Sequence, residues 1–198
     1  MRVLVLVPLL LVHTACWSAR AFMPREHVDG SGPQGQPAAL YVIDDLATQR
    51  PVAELRVWSG GAAAMFTDDD KEIVELHLGF ELENNGSTPL QLDLGSIVCE
   101  GLRLDDQEQQ ALNPTHLDGD GIAPPSATVR VDAIFEPGTT VPADIGSFAV
   151  RFQVLAGEHA VLTQVTPFVP WRRPHDDWGP PWGFGFGFGF GFHHHHHR

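Results

Sequence analysis

Between residues 73 and 82 the apolar side chains fall at every second position. Val74, Leu76, Leu78, Phe80 and Leu82 alternate with Glu75, His77, Gly79 and Glu81. A period of two puts each set on its own face of an extended strand, whereas a helix would scatter both around its circumference. A strand with one apolar and one wet face belongs to a sheet that packs on a second layer. The pattern returns at Leu90, Leu92 and Leu94, at Val129, Val131, Ala133 and Phe135, and at Phe148, Val150, Phe152 and Val154. Residues 52–58, 97–104 and 160–165 predict further strands, and 40–43 a weaker one. The breaks carry Gly, Pro, Asn and Asp. Residues 83–89 read as a turn in which Asn85-Gly86 suits positive φ. No stretch keeps a helical period. Residues 105–112, the most helix-like by propensity, stop at Asn113-Pro114 and have room for two turns at most. The expected fold is all-β: a single antiparallel β-sandwich of seven or eight strands over residues 38–168.

The N-terminus reads as an address. Met1-Arg2 precedes an unbroken apolar run over residues 3–12 and then small residues, the layout of a secretory signal peptide. Ten helical residues cover about half of a ~30 Å hydrocarbon core, too little to span it. Thr14, Ala15 and Cys16 resemble the bacterial lipobox, in which a small residue precedes a cysteine that becomes lipidated, although His13 stands where that family has Leu. The resemblance implies a signal peptide over residues 1–15, a lipid anchor on Cys16, and export to the bacterial cell envelope, facing the periplasm or cell surface. Ala19-Arg20-Ala21 offers the alternative of ordinary cleavage before Phe22 and free secretion. No later segment is long and apolar enough to span a membrane as a helix. With Cys16 occupied, Cys99 stands alone and reads as a buried small hydrophobe.

Residues 16–37, rich in Gly, Pro and Gln, read as a flexible tether. A tail from Val169 changes composition abruptly. The 12 basic residues against 25 acidic ones give a formal charge of −13. The body carries more than all of that excess, a net −15, since Arg50, Arg56, Lys71, Arg103, Arg130 and Arg151 face 21 acids there. So acidic a surface repels phosphate backbones and excludes a nucleic-acid partner. Two cysteines exclude a disulfide framework and a four-thiolate zinc site.

Residues 80–92, Phe-Glu-Leu-Glu-Asn-Asn-Gly-Ser-Thr-Pro-Leu-Gln-Leu, resemble the strand–turn–strand hairpin of small immunoglobulin-like domains. Such domains occur in bacterial exported lipoproteins and in the WHy domain of late-embryogenesis-abundant proteins. The resemblance covers about half of the body, lacks the Cys–Trp–Cys core of antibody-type domains, and carries over no functional residue. It implies a non-enzymatic binding, scaffolding or protective module, which would meet an envelope protein through an exposed strand edge or its loops.

The candidate chemistry is sparse. His27, His77, His116, His159 and His175 show no i, i+2 or i, i+4 pairing that would bind a metal, and read as surface residues. There is no G-x-S-x-G, no H-E-x-x-H and no glycine-rich phosphate loop, and no cofactor is implied. Asp68-Asp69-Asp70 and the run from His116 to Gly121 do not fit the calcium-loop frame and read as solvated turns. The tail holds Trp171, Trp178 and Trp182, then five Gly-Phe dipeptides, then His193, His194, His195, His196, His197 and Arg198. Its aromatics suit a membrane surface, a partner or self-association. The five imidazoles are a metal-binding candidate that takes up Zn, Cu or Ni adventitiously. Simple-repeat expansion also yields such runs without a selected role.

Overall fold

A computed structural model of the protein describes residues 19–45, 48–67 and 69–172. Fourteen strands in these residues form two antiparallel sheets of seven, as a β-sandwich requires. Numbered along the chain, the first sheet holds β1 (Ala19–Arg20), β3 (Gly30–Ser31), β4 (Pro37–Asp44), β5 (Pro51–Phe66), β6 (Glu72–Asn84), β10 (His116–Asp118) and β12 (Ala127–Phe135). Its order is β10-β12-β6-β5-β4-β3, with β1 beside the far half of β5. The second sheet holds β2 (Phe22–Pro24), β7 (Leu90–Leu92), β8 (Val98–Leu104), β9 (Gln107–Glu108), β11 (Ile122–Ala123), β13 (Ile145–Ala156) and β14 (His159–Pro170). Its order is β11-β7-β13-β14-β2, with β8 continuing the row of β7 along β13 and carrying β9.

The alternation read from the sequence places the core. Val74, Leu76, Leu78, Phe80 and Leu82 are all buried, and so are Val131, Ala133, Phe135, Phe148, Val150, Phe152 and Val154. The two layers meet through aromatic rings. Phe152 of β13 lies edge-on to Phe80 of β6 at 5.5 Å and to Tyr41 of β4 at 5.8 Å. The expected strands are β4 to β8 and β12 to β14, long except for the three-residue β7, and the remainder are pairings of two or three residues that no periodicity announces.

Four expectations change. Residues 19–37 are not a flexible tether. Phe22 is 1% exposed and packs edge-on to Phe148 at 5.1 Å, and β2 pairs with the last three residues of β14. One buried aromatic among polar residues is enough to seat this stretch on the core. At the other end β14 runs to Pro170 and Trp171 N–H donates to the Ala21 carbonyl at 2.9 Å, so the body extends past 168. The segment 80–92 is not a hairpin, because β6 and β7 lie in different sheets and the 85–89 link crosses between them. Alternation reads the same in a hairpin and in a crossing, and only the choice of partner differs. Residues 105–112 form no helical turn: Asp105 and Asp106 both take positive φ in the tight turn between β8 and β9.

β5 runs eight residues beyond the expected strand, through Ser59-Gly60-Gly61 and a bulge between Ser59 and Gly61. At Gly61, φ is 100°, and a Cβ there would lie 2.9 Å from the Arg20 carbonyl, so glycine lets β1 approach.

Candidate functional site

The outer face of the first sheet is closed by its own side chains. Arg56 lies among Glu54, Glu81 and Glu83, with N···O distances of 2.9, 2.9 and 3.4 Å. Arg130 bonds Asp132 at 2.8 Å and stacks over Trp58, its guanidinium carbon 5.2 Å from the ring centroid. The Trp58 indole lies flat on Gly79, where any Cβ would come within 2.3 Å of it. Partners on neighbouring strands satisfy this face, and it presents no unmatched cation.

One side of the sandwich is different. Tyr41 Oη and Thr166 Oγ1 share a hydrogen bond of 2.8 Å, which ties β4 of one sheet to β14 of the other. Both strands stand at that side with part of their backbone unpaired. Arg25 N–H donates to the Pro167 carbonyl and Trp171 N–H to the Ala21 carbonyl, so odd-numbered residues of β14 turn their amide groups away from β13. Antiparallel pairing alternates. The N–H and C=O groups of Thr163 and Val165 therefore face the same way, beyond the end of β2, with no partner among the described residues. On β4, Leu40 N–H donates to the His27 carbonyl. The same alternation leaves the amide groups of Val42 facing outward beyond β3. Val42 is 51% exposed and Val165 46%.

Edge strands in soluble proteins usually carry charges, prolines or bulges that prevent further pairing. From His159 to Trp171 this chain has no charged residue, although its net charge is −13, and the run's two prolines, Pro167 and Pro170, lie at the end that β2 already covers. The sequence alone did not single out Val42, Thr163 and Val165. The available signal was that uncharged run, long enough for a strand. Tyr41 stays protonated well above neutral pH. Burial pushes its pKa up, against the opposing hydrogen bond from Thr166, and the nearby Glu26 carboxylate adds to the rise.

The other candidates do not converge. Cys16 and His193 to His197 lie outside the described residues, as does His175. His77 faces Glu75 at 3.1 Å on the outer surface. Asp120 is spent on its own turn, accepting from Ile122 N–H at 3.1 Å. No three His, Cys, Asp or Glu side chains among the described residues are placed to share a metal ion. A cleft of about 130 Å³ between Asp44 and Ala156 is small for an organic substrate.

Cys99 is fully buried, with its pKa pushed up to about 12 by burial and secondarily by Glu100. The native thiol is expected to resist a thiol reagent at pH 8 and to react once urea unfolds the chain. Between the ordinary value of 9.0 and about 12 only the unfolded chain gives up this proton. Stability therefore stays full below pH 9 and falls above it, by as much as about 1.4 kcal/mol per pH unit. Urea midpoints at pH 8 and pH 10 check this, because Cys99→Ala removes that part of the fall.

No family model matches the chain, and no characterised protein and no solved structure matches it either.

Proposed function

We propose that the chain is an exported bacterial lipoprotein held to an envelope membrane by acyl chains on Cys16. Its sandwich is a non-enzymatic module that binds a partner protein by adding that partner's extended segment to the open side at β4 and β14. The outward N–H and C=O groups of Val42, Thr163 and Val165 carry this reading, because main-chain bonds along an edge supply affinity and the flanking side chains supply selectivity. The position of β1 supports cleavage before Cys16 over cleavage after Ala21. The latter would remove β1 and make Phe22, 1% exposed, the charged N-terminus. A charge at a buried position is costly.

The test uses a photo-crosslinking residue in the producing cells, at Val165, at Val42 or at Thr128 on the outer face of β12. A discrete adduct is expected from the two edge positions and not from Thr128. Thr163→Pro removes one outward donor while leaving the β13 side of β14 intact, and should abolish the adduct without changing the melting temperature. The same adducts from all three positions, or their persistence in Thr163→Pro, overturn strand addition. The intact mass of the membrane-fraction protein checks the anchor, since acyl chains on an N-terminal Cys16 are lost in Cys16→Ala.

A further inference from the structure

The strands bring both ends of the described chain to one end of the sandwich. β5 runs down to Phe66, opposite Glu72 at the start of β6, and β12 descends beside β6 to Phe135, opposite Leu76. β14 leaves in the same direction, antiparallel to β2. The two sheets are tied together there. The Arg20 guanidinium donates to the Ala143 carbonyl, from β1 of the first sheet to the connection that enters β13 of the second.

Ala19 pairs with Ala63, three residues from Phe66. Cys16 precedes Ala19 by three residues, a reach of at most ~11 Å at 3.3–3.6 Å per residue. The bond from Trp171 to Ala21 starts the Trp and Gly-Phe tail beside the same strand. Phe66, at 66% the most exposed large apolar side chain among the described residues, stands at this end, with Val141 at 46% on the β12–β13 connection.

We infer that this end of the sandwich seats directly on the lipid bilayer, with Phe66 and Val141 entering the interface. The sandwich then stands with its strands upright on the membrane surface and its open β4/β14 side facing along it. The inference rests on the proposed anchoring in taking a membrane as the surface at hand. The occupant is lipid and not another protein for two reasons: three residues separate the proposed acyl site from β1, a span of at most ~11 Å, and Trp171, a residue type that settles at membrane–water interfaces, bonds the chain just after β1. Insertion, not charge, supplies the attraction. Asp69, Asp70, Glu72, Asp105 and Asp106 at this end repel anionic headgroups.

The test takes the full chain purified from membranes and reconstituted into phosphatidylcholine vesicles. A spin label is placed at Val141→Cys or at Ser87→Cys in the link between the sheets at the opposite end, the buried Cys99 staying unlabelled. The label at 141 is expected to lose most of its collisions with a water-soluble nickel complex and to gain collisions with lipid-dissolved oxygen, while the label at 87 stays water-exposed. Phe66→Asp should return the label at 141 to water without unfolding an exposed position. Equal water exposure at 141 and 87 overturns the inference. The mass of the same preparation separates the two readings. Acylated Cys16 with equal exposure leaves the lipoprotein standing and removes the seated end. Protection at 141 on an unacylated chain does the reverse, and a chain that neither carries acyl groups nor binds the vesicles removes both.

Discussion

Phe152→Ala is expected to cost about 3–5 kcal/mol. Phe152 is fully buried and joins the layers, with ring contacts to Phe80 at 5.5 Å and to Tyr41 at 5.8 Å. The substitution removes the transfer energy of the ring and leaves a cavity that two hydrogen-bonded sheets cannot close by shifting. Urea denaturation measures it: the midpoint should fall with little change in slope. Phe66→Ala provides the comparison. That ring is 66% exposed, so its removal should shift the midpoint by no more than about 0.5 kcal/mol. Equal losses at the two positions would mean that Phe152 does not sit between the layers.

Asn84→Leu, which keeps the branching but enlarges the side chain, is expected to destabilise by about 3 kcal/mol, because a buried carbonyl without a donor costs about 1–3 kcal/mol. Asn84 is 1% exposed at the end of β6, where the chain leaves one sheet for the other. Its Nδ2 donates to the Thr88, Ala123 and Pro124 carbonyls at 2.9, 2.9 and 3.2 Å, and its Oδ1 accepts from Gly86 N–H at 2.9 Å. One amide thus closes the crossing link and holds the approach to β12 against it. Asn84→Asp keeps the shape and the bond from Gly86, yet it directs a carboxylate at carbonyl oxygens that need a donor. At neutral pH it should therefore be at least as damaging as leucine. If Asn84→Asp is neutral, the amide is not the pin.

These substitutions also separate what was legible in the chain from what was not. Phe152 lies on a face that alternation predicts, because an extended backbone sends successive side chains to opposite sides whatever the strand pairs with. Asn84 sits in a stretch that reads as a hairpin turn, and nothing local distinguishes a return to the same sheet from a crossing to the other. The extension of β5 through Gly60-Gly61-Ala62 escaped for a related reason: small residues look like a loop until a neighbour is found to need the space. Phe22 was hidden in the same way, as one aromatic in a polar stretch whose place on the core depends on Phe148, 126 residues away. The open side was half legible. The uncharged run after His159 is visible, but which amides lack partners depends on where β2 and β3 stop.

The sequence by itself determined the all-β class, the inward residues of the long strands and the acidity of the body, because these follow from side-chain period and charge, which are local. Only the tertiary structure decided which strands are neighbours, that residues 19–37 belong to the sheets, that 85–89 crosses between layers and that Ala19 and Trp171 come to the same end. Each of these is a pairing between residues far apart in sequence. Backbone hydrogen bonds are the same for every residue type but proline and leave little mark on the order in which the residues occur.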